Sequence, residues 1–154
     1  MKITIVFTGK TEKGFVSEGI LRYEKRIRHY IPLDIVTVNS PKAGNQENQK
    51  QKEGMQILSK IHAESHVILL DEKGDEITSV QFAEIIDRGA HNHIRRLTFV
   101  FGGPYGVSEK VRQRADRIIR LSAMTFSHQV VRILFMEQLY RAFTIIRGEP
   151  YHHE

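Results

Sequence analysis

The sequence predicts an α/β fold in which a parallel sheet is covered by helices on both faces. Short apolar runs rich in β-branched residues alternate along the chain with longer segments whose apolar residues recur at helical spacing. The inner runs, at residues 67–70 and 97–101, are continuously apolar, which is typical of strands buried on both faces. The 154 residues, of which 40% are hydrophobic and 27% charged, predict one soluble globular domain over residues 1–154.

Turn and breaker residues divide the first half of the chain. Pro32 ends the first helix, since the residue before a proline disfavours the helical conformation. Residues 40–52 are polar and rich in Asn and Gln, so we expect a mobile loop that runs into a helix. The third apolar run is expected to end at Asp71, before a turn at Gly74. The predicted elements of this half are strands at residues 3–7, 33–38 and 67–70, and helices at residues 14–30 and after residue 52.

The second half is divided by helix-capping residues. Thr78 or Ser79 is expected to cap one helix, and Ser108 with Glu109 opens a shorter one, because Ser and Thr side chains accept hydrogen bonds from the free N–H groups of a first turn. The predicted elements of this half are strands at residues 97–101 and 118–121, and helices that end near residue 87, span residues 108–114 and span residues 128–147.

The last helix is apolar around nearly its whole circumference. A helix with apolar residues on more than one face must be covered on more than one face, so we expect a second copy of the chain to cover one of them. Glu137 and Arg141 are spaced as an i, i+4 ion pair, and with Thr144 they form a polar stripe. The apolar positions are Val130, Val131, Ile133, Leu134, Phe135, Met136, Leu139, Tyr140, Ala142, Phe143, Ile145 and Ile146.

The distribution of charge favours a polyanionic partner. The net charge is +5, but residues 88–147 hold 11 Lys and Arg against three acids, a local charge of +8, whereas the rest of the chain holds 12 bases against 15 acids. Most of the clustered bases are Arg, which binds phosphate groups bidentately, so nucleic acid is the favoured partner. The chain has no Cys and no apolar run near the roughly 20 residues of a membrane span, so we expect a cytoplasmic protein.

Several common ligand motifs are absent. Gly9 and Gly14 have the spacing of a phosphate-binding loop, but no Lys-Ser or Lys-Thr pair follows them, and no GxGxxG sequence follows the first strand. The paired histidines, His91 with His93 and His152 with His153, lack a further fixed ligand, so we expect no metal.

Three segments in the last third are candidates for a ligand site. Residues 101–106, 121–128 and 147–154 each follow a predicted strand or helix, and open α/β sheets bind ligands beyond the carboxyl ends of their strands. Gly102 and Gly103 let a backbone approach a ligand closely.

These segments, in this order, closely resemble one family. With the MKITIVFTGK start, Tyr23-Glu24-Lys25-Arg26 and Tyr140-Arg141-Ala142-Phe143, they resemble the pseudouridine N3-methyltransferases of the ribosomal large subunit, minimal members of the SPOUT class. The resemblance extends end to end. It implies a three-layer α/β fold with a C-terminal deep trefoil knot, S-adenosyl-L-methionine bound in the knot without a metal, and a homodimer with the final helix at its interface. It implies as substrate a pseudouridine in a 23S rRNA stem-loop on the assembled 70S ribosome.

The resemblance also implies which residues bind the cofactor. They lie in three loops, each after a predicted strand. Ser127 departs from the family pattern, which carries Pro before His128, and we expect it to loosen the third loop. The cofactor-binding residues would be Leu70, Gly102, Gly103, Leu121, Ser122, Ala123, Met124, Thr125 and Phe126.

The catalytic residues follow from the same resemblance and from the chemistry of N3 methylation, which requires loss of the N3 proton. Arg141 could stabilise negative charge on the uracil ring or hold a phosphate, and Glu137 could orient Arg141. Tyr151 could stack on the base, and His152 is the candidate general base because its usual pKa lies near physiological pH. His128 is equally open to a structural and a catalytic reading. The chain end after Gly148 is expected to order only with cofactor or RNA.

Two alternatives stay open from the sequence. The first is an RNA-binding protein that keeps the same scaffold and charge but has no catalytic activity. The second is an enzyme for another nucleotide, with the GGPYG segment as a phosphate loop, against which the missing Lys-Ser or Lys-Thr pair argues. In each reading, RNA would be held by basic residues that include Arg22, Lys25, Arg26, Arg88, Arg95, Arg96, Arg112, Arg114 and Arg117.

Overall fold

A computed structural model describes residues 1–153 and confirms the α/β fold with a parallel sheet. Five strands form one sheet in the order β2-β1-β4-β3-β5, and every neighbouring pair is parallel. In chain order the elements are β1 (Lys2–Thr8), α1 (Phe15–Ile27), β2 (Leu33–Val38), α2 (Gln46–Lys60), β3 (His66–Glu76), α3 (Ser79–His91), β4 (Arg96–Phe101), α4 (Glu109–Arg114), β5 (Arg117–Arg120) and α5 (Val130–Arg147).

Helices cover both faces of the sheet, so the architecture has three layers. One face packs against α1, α3 and α5, and the other against α2 and α4. Alternate residues of a strand serve the two faces: Ile5 and Phe7 of β1 belong to the first core, and Val6 to the second. All three are fully buried. The continuous apolar runs of the inner strands are explained by this coverage of both faces.

The predicted polar loop at residues 40–52 is only partly correct. Helix α2 begins at Gln46, where the side chain of Asn45 accepts a hydrogen bond of 2.8 Å from the backbone N–H of Asn48. The Gln, Glu and Lys residues of this stretch favour helix on an exposed face, so their polarity is compatible with a helical wall.

The third strand does not end at Asp71. It continues to Glu76 after an irregularity, because Leu70 and Asp75 both pair with Ile119 of β5 and residues 71–74 bulge out between them. A Cβ atom on Gly74 would lie 2.5 Å from the backbone of Ile119, so the strand can rejoin its partner there only with glycine. The bulge carries the Asp71 side chain to the end of the sheet.

Helix α5 packs against α1 and α3 over the middle of the sheet, although β5 before it lies at the sheet edge. Phe135 is fully buried and contacts the rings of Phe82, Phe99 and Phe101. Helices α1 and α3 therefore cover part of the apolar surface of α5, for which the sequence analysis expected a second copy of the chain. The trefoil knot implied by the resemblance stays a prediction. Within residues 1–153, no helix combines the length and the apolar character that a bilayer crossing requires.

Candidate functional site

A cleft of about 990 Å³ opens where β3, β4 and β5 reach the same end of the sheet. Its floor and rim come from the ends of these strands and from the loops that follow them. This is the position at which open α/β sheets bind ligands. The structure brings together there every residue predicted to bind the cofactor: Leu70, Gly102, Gly103, Leu121, Ser122, Ala123, Met124, Thr125 and Phe126.

The segment after β4, residues 102–106, forms a compact turn, here called the glycine turn. The Gly106 N–H donates to the Gly103 carbonyl at 3.0 Å, and Gly106 adopts a φ of +84°. A Cβ atom on Gly102 would lie 2.7 Å from Val107 Cγ1 and 3.0 Å from the Gly106 carbonyl oxygen. The turn therefore closes only with glycine at these positions, and its backbone borders the cleft.

The loop after β5, residues 121–128, presents apolar side chains at the rim. Met124 is 74% exposed and Phe126 43% exposed, and both line the cleft. Exposed apolar side chains beside a cleft are available for burial against a ligand. At the start of α5 the Ser127 hydroxyl accepts a hydrogen bond of 3.1 Å from the Val130 N–H, and its carbonyl accepts from Val131. The expected loosening of the third loop stays a prediction.

The wall contributed by α2 was missed in the sequence, because these residues were assigned to a loop. Gln46, Glu47 and Lys50 of α2 line the cleft. Arg112 of α4 and Asp71 also line the cleft, where they form a salt bridge of 2.9 Å. Asp71 belongs to the bulge of β3. The guanidinium of Arg112 thus contacts a carboxylate in the cleft, and its expected role in RNA binding stays a prediction.

Four of the five predicted catalytic side chains meet in a second cluster, formed by the last turns of α5 and the tail at residues 148–153. Arg141 donates to Glu137 Oε1 through Nε at 3.1 Å and also through Nη2, as the i, i+4 spacing predicted. The Tyr151 hydroxyl donates to the same oxygen at 3.2 Å, and the guanidinium of Arg141 lies 4.9 Å from the Tyr151 ring centroid. His152 Nδ1 lies 3.3 Å from Arg141 Nη1.

The pKa shifts of Arg141 and Tyr151 indicate which groups of this cluster donate hydrogen bonds. The hydrogen bond to Glu137 raises the pKa of Arg141, which therefore stays charged. Burial, and after it the neighbouring Tyr23 hydroxyl, raises the pKa of Tyr151, so its phenol stays protonated and acts as a donor. Since a guanidinium only donates, His152 Nδ1 is the acceptor in this contact.

Contacts within the chain hold the tail in place. The hydroxyl of Tyr30, in the turn after α1, donates to Glu149 Oε2 at 2.6 Å, and the Tyr151 ring packs against Tyr140 with centroids 4.8 Å apart. The bond to Glu149 raises the pKa of Tyr30. The expectation that the tail orders only with cofactor or RNA stays a prediction.

The cleft and the tail cluster are separate within one chain. Only His128 among the predicted catalytic residues lines the cleft, beside the start of α5. Arg141 lies farther along the same helix, about 16 Å from Val130 at about 1.5 Å per residue. The structure therefore places the predicted cofactor site and most predicted catalytic groups at opposite ends of α5.

Arg132 is a further buried residue that the sequence did not single out. It is 1% exposed, and its guanidinium donates to the Thr8 carbonyl at 2.7 Å, the Gly9 carbonyl at 3.1 Å and the Thr11 hydroxyl at 2.9 Å. Burial lowers its pKa to about 10. Arg132 thereby fastens the segment after β1 to the start of α5, next to the 121–128 loop. A single Arg inside the apolar stretch VVRILF is the only sequence feature that points to it.

A family model described as "Predicted SPOUT methyltransferase" matches residues 1–152. The chain belongs to the SPOUT methyltransferase family. Relatives span its full length. A protein of Parabacteroides distasonis is 46% identical over 100% of both chains, and one of Geobacter sulfurreducens is 44% identical over 99% of this chain and 100% of its own. Both are called "Ribosomal RNA large subunit methyltransferase H".

Two solved structures share the fold of this chain. A probable methylase family protein from Haemophilus influenzae superposes with a TM-score of 0.56 at 16% identity, over 95% of this chain and 66% of its own. A probable methyltransferase from Bordetella pertussis superposes with a TM-score of 0.55 at 14% identity, over 92% of this chain and 95% of its own. Because the identities are low, these likenesses concern the fold. Across residues 1–153, no three His, Asp or Glu side chains converge as metal ligands would.

Proposed function

We propose that the chain is an S-adenosyl-L-methionine-dependent methyltransferase that modifies N3 of a pseudouridine in 23S rRNA on the assembled ribosome in the cytoplasm. The observation that carries this proposal is the cleft at the ends of three parallel strands, in a chain of the SPOUT methyltransferase family. The names of the full-length relatives support ribosomal RNA of the large subunit as substrate.

The residues of the cleft fit the methyl donor. Its volume of about 990 Å³ is large enough for a nucleoside-sized ligand, and one of its walls is bare backbone at Gly102 and Gly103. Backbone N–H and C=O groups can bind the edge of a purine, and Met124 and Phe126 supply apolar surface. When bound, S-adenosylmethionine supplies an electrophilic methyl group on a sulfonium, so no metal is needed for the transfer.

Arg141 is proposed to stabilise the pyrimidine anion that N3 methylation requires. Its cation is held by Glu137 and supported by the ring of Tyr151. A fixed cation beside developing negative charge lowers the barrier without reorganisation of solvent. The phenol of Tyr151, which stays protonated, can donate to a carbonyl of the base.

The proton of N3 needs an acceptor, for which two histidines are proposed. His152 Nδ1 is released from its contact at 3.3 Å when Arg141 Nη1 bonds to the substrate instead, while Nε and Nη2 keep the guanidinium on Glu137. His128 lies in the cleft itself and is exposed. Glu137 is the weaker candidate, since its Oε1 already accepts hydrogen bonds from Arg141 and Tyr151.

A homodimer is proposed to bring the tail cluster of one subunit, near the end of its α5, beside the cleft of the other subunit, at the start of its α5. The donor methyl group and the nucleophile must approach to about 3–3.5 Å, which one chain does not achieve between its cleft and its tail cluster. A second copy packed along α5 can place its tail cluster beside the cleft of the first. Leu134 supports this arrangement: it is half-buried on α5, and within the described residues it does not belong to the hydrophobic core.

Replacing Leu134 with Asp is expected to weaken dimerisation by at least about 100-fold, because the carboxylate would be buried without a partner at the interface. Light scattering at micromolar concentration should give a dimer mass for the wild type and a monomer mass for this variant. Met55→Asp is the matched control, since Met55 is an exposed apolar residue of α2 on the other face of the sheet. A monomeric wild type would contradict the proposal.

RNA binding is proposed to depend on basic residues that remain exposed. Arg22, Arg95 and Arg117 are exposed, whereas Arg114 donates to the Ser65 carbonyl at 2.7 Å and serves the fold. A dimer doubles this surface and can recognise the shape of a stem-loop.

The decisive experiment is incubation of the protein with labelled S-adenosylmethionine and ribosomes that lack the modification, followed by mapping of the label. We expect one labelled pseudouridine in 23S rRNA. Donor binding and ribosome binding without label transfer would favour the RNA-binding scaffold protein. A chain that does not bind the donor at all would overturn the proposal.

A further inference from the structure

Glu53 of α2 is a buried carboxylate that the fold and the proposed chemistry leave unexplained. It is 1% exposed. Its Oε1 accepts a hydrogen bond from the Ser40 hydroxyl and another, at 3.1 Å, from Gln49 Nε2. Its Oε2 is buried and has no hydrogen-bond partner within residues 1–153. A buried acceptor without a partner is costly, so its retention requires a reason.

The carboxylate lies directly beneath the glycine turn. A Cβ atom on Gly103 would stand 2.7 Å from Glu53 Oε2 and 2.9 Å from Oε1. Residue 103 must therefore be glycine, because the carboxylate of Glu53 occupies the space that a side chain at residue 103 would fill. The other side of the same turn borders the cleft, so Glu53 and a bound ligand would contact the turn from opposite sides.

We propose that Glu53 is a positioning residue for the methyl-donor cleft, acting through the glycine turn. Its carboxylate supports the turn from below, and Oε2 accepts a main-chain N–H of the turn when the donor engages the other side. Ser40 and Gln49 keep the carboxylate in this orientation, which links the segment before α2 to the donor site. This inference rests on the proposed function.

The Glu53→Gln variant removes Oε2 as an acceptor for the main-chain N–H groups of the glycine turn. Two donors converge on the Oε1 position, so the amide oxygen is expected there and the NH₂ group is expected to face the turn. We expect the dissociation constant for S-adenosylmethionine to rise about tenfold, the scale of one hydrogen bond to a charged group. The KM for the donor should rise likewise, with kcat at saturating donor little changed, because the groups of the tail cluster are untouched.

Calorimetric titration of the folded protein with S-adenosylmethionine, together with thermal unfolding, separates positioning from a purely structural role. Glu64→Gln is the matched control, since Glu64 is an exposed carboxylate after α2 and carries the same charge. The control should bind the donor as the wild type does. Ser40→Ala, which removes one of the two donors to Oε1, should weaken binding by about threefold, within the range of one neutral hydrogen bond.

Unchanged donor affinity in Glu53→Gln, with or without a lower unfolding temperature, would overturn the inference. If Glu53→Gln does not fold, Ser40→Ala decides in the same way. A wild-type chain that does not bind the donor would instead overturn the proposed function, and this inference with it.

Discussion

Replacing Gly102 with Val is expected to weaken S-adenosylmethionine binding by at least about 100-fold, the effect of an overpacking cost near 3 kcal/mol. Any Cβ atom at this position would lie 2.7 Å from Val107 Cγ1 and 3.0 Å from the Gly106 carbonyl. The glycine turn must then open, and its backbone is displaced from the cleft wall. Calorimetric titration of the folded variant measures the loss.

Gly14→Ala is the control for the general cost of replacing a glycine. Gly14 has a φ of +91° and open space around its Cβ position, and it does not line the cleft. Alanine there should lower stability by about 1 kcal/mol through backbone strain and leave donor affinity unchanged. Wild-type affinity in a folded Gly102→Val protein would show that the donor binds elsewhere.

Replacing Arg141 with Ala is expected to reduce methyl transfer by about 100-fold or more, the scale observed when one preorganised group is removed from an active site. The substitution removes the cation that Glu137 and Tyr151 hold in place. Donor affinity should stay within about twofold of wild type, since Arg141 does not line the donor cleft of its own chain. Single-turnover assays on ribosomes, with donor titration alongside, test both statements.

Arg28→Ala is the matched control, because Arg28 forms an i, i+4 ion pair with Glu24 at the surface of the molecule and is not among the residues expected to hold RNA. An exposed pair of this kind contributes little to stability, and its loss should leave turnover near wild type. Arg141→Lys keeps the charge but loses the two-pronged contact with Glu137, so its activity should fall between wild type and Arg141→Ala. Wild-type turnover by Arg141→Ala would move the role of stabilising the anion to another cation.

The order of elements and the location of the cleft were predictable from local patterns. Continuous apolar runs specify strands buried on both faces, and residues after such strands meet at one end of a parallel sheet. For this reason Gly102 and the 121–128 loop could be grouped before their distances were known, and the family resemblance added Leu70. The pairing of Glu137 with Arg141 was equally local, because helical spacing places them side by side.

Contacts between residues distant in sequence were not predictable, because no periodicity records them. Glu53 reads as one more polar residue of a polar stretch, and only the fold places its carboxylate under Gly103. Arg132 binds backbone carbonyls more than 120 positions earlier in the chain. The bulge of β3 depends on the contact of Gly74 with Ile119.

The sequence by itself determined the α/β class, the family and three of the loops that line the cleft, because each of these depends on short-range pattern or on ordered motifs. The tertiary structure alone decided that the tail packs on Tyr30 and Tyr140 and thereby brings Tyr151 and His152 onto Glu137 and Arg141. The physical reason is that local propensity sets the elements, whereas the packing of α5 against α1 and α3 sets where the ends of that helix point.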